Sequence, residues 1–463
     1  MSQAEFVSPQ YAQSFRCIGS DCEDTCCHGW RVPVDEATYE RYQNLPPSPL
    51  STLIHESVER LPQSEHAKNP SIFAIIRMNE ENNCPMLSEG RLCRIQSEYG
   101  EALLSHTCAT YPRVAHANNG NSITALTLSC PEAARLVLLH PDLMETCSAP
   151  QSGVQPDAAP AAQPGDSEAR SSSPLAPPLT PPLTPWIEPI RDAALRTAAN
   201  RHYPIWQRLF LLSVFARRLD AIATGELGRS PDAFLADFNA TAAQGSLRVA
   251  MDALPADDLA QMDAVLRLAG LMLHRSSIGP RFVECVNAFT SGIGNGPGAT
   301  LASLTAHSRA AYERRFAPFF RSHPHILENY LVNTILRLNF PFGSAKNPEE
   351  SARTISQRFA ILAAQFALIR GLLIGVAGHH GENFSTDHVV HTVQAASKHF
   401  EHHPEFAKQI LALLAELKLD GSHGLTILLR EPAVAGGSNP RAGLPLRIAT
   451  RPQPRANELH RAS

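Results

Sequence analysis

From about residue 190 onward, apolar residues recur at three- and four-residue spacing and β-branched alternation is scarce, which predicts a mainly α protein over that stretch. Ile205 to Ile222 and Ile326 to Leu338 read as amphipathic helices. In the second, Ile326, Leu327, Tyr330, Leu331, Ile335 and Leu338 make one broad stripe for a core. The same spacing predicts helices over Ser308–Phe320, Thr354–Val376, Thr386–Phe400 and Pro404–Leu417. The first third mixes short segments with helices near Glu36–Gln43, Arg94–His106 and Pro131–His140, the last opening on a proline suited to a first helical turn.

One apolar run, Phe359 to Gly378, is long enough to raise the question of a membrane span. Arg370 lies well inside it and Gln365 near its centre. A mid-span arginine costs about 2.5 to 3.5 kcal/mol on insertion, and no basic flank or aromatic belt marks either end. A buried core helix in a soluble protein is therefore expected. Ser148 to Pro189 is dense in Pro, Ala and Ser, with PLAPPLTPPLTP at Pro174 to Pro185, and cannot bury enough apolar surface to offset its ordering entropy. The expected organisation is a cysteine-rich metal-binding domain at 1–147, a disordered Pro-rich linker at 148–189, a helical domain at 190–430 and a disordered tail at 431–463.

Composition narrows the classes. The chain has 463 residues, a formal charge of -4 and 6% aromatic residues. Without a basic stripe or a stacking platform, no nucleic-acid partner is expected. Met1 to Phe15 has no basic n-region and no continuous apolar core, so a cytoplasmic location with reduced thiols is expected.

That matters because nine of the ten cysteines fall in the first third. Four crowd into Cys17-IGSD-Cys22-EDT-Cys26-Cys27, and Cys84, Cys93, Cys108 and Cys130 follow in a second stretch. Zinc and iron-sulfur sites both need four soft ligands converging from short loops, so these eight thiols are the candidate metal ligands. Adjacent Cys26 and Cys27 would diverge in a helix or a strand and are not expected to grip the same atom. Cys147 and Cys285 stand apart and read as small packed hydrophobes.

The blocks around these cysteines carry a resemblance. They run from Phe15-Arg16-Cys17 through CEDTCCHGWRVPVDEATYERY, then CPML and GRLCRIQSEYGEALLSHTCATYPR, then LSCPEAAR, and in the second domain ENYLVNTILRLNFPFG from Glu328 to Gly343. In these blocks the chain resembles the bacterial flagellin lysine-N-methylase (FliB-like) family, within a wider group of cysteine-cluster proteins labelled zinc- or iron-chelating. The resemblance implies an enzyme that carries an iron-sulfur cluster, of the 4Fe-4S kind or with zinc in its place, uses S-adenosylmethionine, and methylates lysines of flagellin in the cytoplasm. Two departures are visible. The C-x3-C-x2-C loop of radical S-adenosylmethionine enzymes is absent, since Cys27 directly follows Cys22-x3-Cys26, and no Rossmann-type signature is present. Gly292-Ile-Gly294-Asn-Gly296-Pro-Gly298 imitates one but follows a helical pattern where a strand is required.

Transfer to lysine by direct displacement needs a neutral amine, and free lysine has a pKa of about 10.4. Glu98, Tyr99 and Tyr111 are the catalytic candidates beside the cysteines, with Glu101, Glu328 and Tyr330 as further possibilities in the same blocks. Arg113 could hold the methionyl carboxylate of the cofactor as a bidentate pair. The late histidines, His379, His380, His388, His391, His399, His402 and His403, read as exposed helix and loop residues, because no cysteine or carboxylate set accompanies them. Two other classes compete with the methylase: a structural zinc module with a partner-binding helical domain, and an iron-sulfur redox or sensor protein that uses no S-adenosylmethionine.

Overall fold

The computed structural model describes residues 9–66, 72–118, 121–143, 181–273, 279–344, 348–403 and 405–431. The expected linker centre, Cys147 and the tail beyond residue 431 lie outside them.

A small module comes first. Helices α1 (Glu36–Gln43) and α2 (Pro49–Ser57) start on side chains that satisfy orphan amides. The Asp35 carboxylate accepts from Thr38 N, and Ser48 forms a capping box with Ser51 ahead of Pro49. Strands β1 (Val32–Val34), β2 (Val58–Arg60) and β3 (Ala74–Ile76) form an antiparallel sheet in the order β1-β3-β2, with Val32 and Val58 both opposite Ile76. Val34, Tyr42, Leu50, Ile54 and Met86 fill a compact core of their own. The helix expected over Arg94–His106 is broken. Gly100 takes φ +81°, which ends α3 (Arg94–Tyr99), and a new helix, α4 (His106–Thr110), starts on the Ser105 side chain.

Strands β4 (Arg113–Asn118) and β5 (Asn121–Leu126) form a hairpin in register from Arg113↔Leu126 to Asn118↔Asn121. It leads into α5 (Pro131–Leu138), whose first turn holds the proline as expected. Here the expected domain boundary fails. Ile123, Leu126, Val137 and Leu138, and the early residues Tyr11, Ala12 and Phe15, belong to the core of the helical body and not to that of the cysteine module. The body also begins before residue 190: Pro181–Trp186 forms a short 3-10 helix and α6 (Ile187–Ala198) follows, with Leu183 and Ile187 buried.

The body continues with α7 (Ile205–Ala223), α8 (Pro280–Gly292), α9 (His325–Arg337), α10 (Ile355–His380), α11 (Thr386–Phe400), α12 (Phe406–Glu416) and α13 (Ser422–Leu429), among other helices. The central element is α10. Its N-terminus is fixed twice, by a Thr354–Gln357 capping box and by the Asp220 carboxylate, which accepts from Ile355 N and Ser356 N at 2.8 Å each. Nearly all of α10 is buried by protein, as expected for the apolar run, and the arginine inside it has a definite task. The Arg370 guanidinium donates to the carbonyls of Leu428 and Leu429, satisfying the C-terminal end of α13. At the other end Gly292 closes α8 against the backbone of α10, where an added Cβ would fall 1.7 Å from the Gly375 carbonyl oxygen. That glycine serves helix contact. A helix precedes the glycine-rich segment, as its sequence pattern indicated.

The ENYLVN segment of α9 ties the early residue Tyr11, the β4–β5 hairpin and α5 into the helical body. Asn333 donates to Leu126 O at 2.8 Å and its side-chain oxygen accepts from Leu126 N and from Tyr11 Oη. Asn329 donates to Val137 O and His140 O, closing the end of α5. Glu328, 4% exposed, receives Arg201 and, at 2.6 Å, Arg208. Both asparagines and the glutamate are thereby committed to structure, and Tyr330 is buried beside Phe366.

Candidate functional site

The cysteine loop is neither helix nor strand at its end. Cys26 and Cys27 form a turn, pinned by Cys27 N to Thr25 Oγ1 at 3.1 Å and by Cys84 N to Cys27 O at 2.7 Å. In a turn adjacent side chains need not diverge. The Cys26 and Cys27 thiols lie close enough to perturb each other's ionisation, and Cys27 also feels Cys84, so the pair does not point apart as a helix or strand would make it.

Cys93 opens α3, Cys108 lies in α4, and both sit within electrostatic reach of Cys26. Cys130 senses Cys22 and Cys26, and Cys22 senses Cys17. Cys26 thus feels or is felt by Cys27, Cys93, Cys108 and Cys130, more of the eight than any other thiol. Among the described residues no group of three or more Cys, His, Asp or Glu side chains stands ready-made at ligand spacing.

Ionising these gathered thiols is unfavourable without a counter-charge. The neighbouring Cys27 thiol, then burial, pushes the Cys26 thiol well up, although Cys26 keeps some solvent access. For Cys27 the Cys26 neighbour pulls down, but Cys84 and burial together win. Burial pushes Cys108 and Cys130 up to about 12 each. A bound cationic centre reverses this logic by deprotonating its thiols. An all-thiol donor set of this kind suits zinc or an iron-sulfur cluster.

The loop is clamped to the helical body. Lys398 of α11 meets both Asp24 carboxylate oxygens at 2.9 Å and Thr25 O at 2.8 Å, and Gln394 donates to Asp24 Oδ2 and Ser129 O. Glu23 pairs with Arg135 at 2.7 Å.

Beside this clamp, a cavity of about 520 Å³ opens between the module and the body, a size usual for small-ligand sites. Trp30, Tyr111 and His402 form one wall. Their ring centroids lie 5.8 Å (Trp30–Tyr111), 4.7 Å (Trp30–His402) and 6.2 Å (Tyr111–His402) apart. The Trp30 indole N–H donates to Cys26 O, so this wall touches the cysteine loop directly.

The hydrogens behind the wall can be counted. Glu401, with its side chain 3% exposed, pairs with Arg337 at 3.1 Å and accepts from Ser129 N and from the Thr127 hydroxyl. A carboxylate only accepts, so the single Thr127 hydrogen goes to it. Thr127 Oγ1 and Ser129 Oγ are 3.1 Å apart, so Ser129 must donate to Thr127. Ser129 Oγ then accepts from its two other neighbours, Tyr111 Oη at 3.0 Å and His402 Nε2 at 2.8 Å. Tyr111 is therefore a phenol held as a donor, in keeping with a pKa that burial raises well above the usual range. His402 carries its hydrogen on Nε2.

Of the expected catalytic residues, Tyr111 alone lines this cavity. Glu98 is exposed and paired with Arg94 at 3.1 Å, and Tyr99 bonds Ser48 at 3.1 Å. Glu101 reaches Gln96 at 3.5 Å. Arg113 does line it, but its guanidinium donates to Ala12 O and Phe15 O and lies over the Phe15 ring. The reading of the histidines as exposed also needs correction: His402 faces the cavity and His399 is 6% exposed. Cys285, by contrast, is buried in the body as a lone thiol, as its isolation indicated.

The architecture is a helical body carrying a cysteine-rich module, with a ligand-sized cavity where they meet. Residues 191–428, the greater part of that body, match the FliB lysine N-methylase C-terminal domain. The chain is 34% identical over 145 residues to the flagellar biosynthetic protein FliU of Salmonella muenchen, an alignment spanning 31% of this chain and 83% of that protein. It is 34% identical over 145 residues to lysine-N-methylases of Salmonella typhimurium and Salmonella choleraesuis, spanning 31% of this chain and 35% of each. No solved structure matches the chain. The chain belongs to the FliB lysine N-methylase family, a family of protein-lysine N-methyltransferases.

Proposed function

We propose that the chain methylates lysine side chains of flagellin in the cytoplasm, with S-adenosylmethionine as methyl donor, in the cavity between the cysteine module and the helical body. The observation that carries this reading is the shared wall. Trp30 is bonded to the Cys26 loop on one side and stacked on His402 of the family-matched body on the other, so the two parts build one site. The flagellar name of one relative and the methylase name of two others support the substrate and the reaction.

Four of the eight thiols of Cys17, Cys22, Cys26, Cys27, Cys84, Cys93, Cys108 and Cys130 would hold an iron-sulfur cluster, or zinc in its place. Such a cluster supplies one-electron or Lewis-acid chemistry when bound. The chain's own residues handle the proton. The cavity desolvates the lysine ammonium, which lowers its pKa. His402, the imidazole of the cavity wall, is the group to which we assign the lysine proton. Tyr111 stays a phenol and fixes the imidazole through Ser129.

Anaerobically purified protein, incubated with S-adenosylmethionine, a reductant and flagellin, is expected to add methyl mass increments to flagellin lysines. A protein with its metal intact that leaves flagellin unchanged defeats this reading. A zinc-only preparation that still methylates would remove the iron-sulfur cluster from it while leaving the transferase.

A further inference from the structure

Four arginines line the cavity: Arg113, Arg337, Arg353 and Arg358. Three are engaged. Arg113 holds the carbonyls of Ala12 and Phe15, Arg337 pairs with Glu401 and reaches Gln365, and Arg358 donates to Pro341 O, Glu350 O and Ser351 O. Arg353 differs. Its backbone N–H closes a turn onto Glu350 O at 3.2 Å, but its half-buried guanidinium has no hydrogen-bond or ion-pair partner among the described residues. A guanidinium placed in a partly desolvated cavity with five donors unspent is a ready receptor for a planar anion.

Glu350 lines the same cavity. An α-amino acid end carries a carboxylate and an ammonium together, which suits an arginine and a glutamate in one cavity, whereas a phosphate brings no cation for Glu350. The apolar side chains of Phe340, Ile361 and Phe406 line the same space and suit a flat heterocycle.

We propose that Arg353 anchors the α-carboxylate of the methyl donor's amino-acid end, with Glu350 beside its α-ammonium. This takes for Arg353 the role that the sequence suggested for Arg113, and it rests on the cavity being the methyl-transfer site. It also orients the donor, because a fixed carboxylate leaves the sulfonium and its methyl group to face the rest of the cavity.

Calorimetric titration with two ligands tests it. S-adenosylhomocysteine carries the amino-acid end, and 5′-methylthioadenosine lacks it. In the wild-type holoprotein both are expected to bind. Arg353→Ala should weaken S-adenosylhomocysteine about tenfold or more, the usual loss for a hydrogen bond to a charged group, and leave 5′-methylthioadenosine within about twofold. Arg353→Lys should fall between, because an ammonium cannot reproduce the bidentate fork. Binding of 5′-methylthioadenosine by the variant doubles as evidence that its cavity is folded. Equal S-adenosylhomocysteine affinity in wild type and Arg353→Ala overturns the anchor while sparing the methylase reading. Equal losses for both ligands would make Arg353 a structural residue and also overturn it. A wild-type protein that binds neither ligand overturns both the donor and the anchor.

Discussion

The cysteine module and the helical body solve the problem of buried polar groups in opposite ways. In the body each such group discussed above has a protein partner: Arg370 caps α13, Asn329 closes α5, Asn333 holds β5 and Tyr11, and Glu328 neutralises Arg208. In the module the crowded groups are thiols whose neighbours are other thiols, and both burial and mutual proximity resist their ionisation. Its core is also small, a single cluster spanning residues 32 to 104, a size at which natural domains commonly need a staple such as a metal. The body stands on its own side chains; the module, in the reading we propose, is built around a metal centre.

The most severe way to break this contrast is at Cys26. Cys26→Ser is expected to abolish metal binding and the visible absorbance of the purified protein. Hydrogen exchange should accelerate across residues 32–108 and stay slow across the body. Unchanged metal content would refute the ligand assignment, and loss of protection in both parts would refute the independence of the body.

Next in size is the reverse experiment. Glu328→Ala leaves Arg208, whose side chain is 9% exposed, as an uncompensated buried charge, and removal of one partner from such a pair costs about 3 to 5 kcal/mol. Denaturant unfolding followed by helical signal should show that loss while metal per protein remains at the wild-type value. A metal loss matching that of Cys26→Ser would show that the two parts fold as one.

Between them stands the clamp. Lys398→Met removes the partner of Asp24, whose side chain is 16% exposed, and should destabilise the docked loop by about 2 to 3 kcal/mol, discounted from a fully buried pair for its residual solvent contact. Protease cleavage near the cysteine loop should quicken without unfolding of the body. An unchanged cleavage rate would mean that the wall of Trp30 and His402 suffices to dock the module.

The same contrast explains what could be read from sequence. Helices of the body were legible because their stripes face one core: Thr386–Phe400 is observed as drawn, and Thr354–Val376 differs only at its ends. The crowding of cysteines was also legible, because it falls within short stretches of the chain. What escaped depends on contacts between segments far apart in the chain. Glu401 and His402 are bonded to Thr127 and Ser129, more than 270 residues earlier, and no local spacing reveals that. Arg113 was a sound candidate by residue type, yet its donors are consumed by carbonyls at residues 12 and 15. The hairpin from Arg113 to Leu126 did carry a signal, an Asn-Gly pair between alternating stretches, and was missed beside the stronger cysteine pattern.

The smallest effect belongs to the thiol that the contrast predicts to be inert. Cys285 lies in the body, 3% exposed, on a helix that crosses α10, and burial pushes its thiol up to about 12. A thiol that stays protonated is neither a nucleophile nor a ligand. Cys285→Ser should therefore leave metal content, absorbance and methyl transfer at wild-type values. Stability should fall by about 1 to 2 kcal/mol, because a hydroxyl buried in place of sulfur loses apolar contact and keeps only the Thr392 neighbour as a hydrogen-bond partner. Cys285→Ala removes the polar group and should cost less than the serine. If the serine variant instead lost metal, the division between a thiol-based module and a self-sufficient body would fail at its most conservative point.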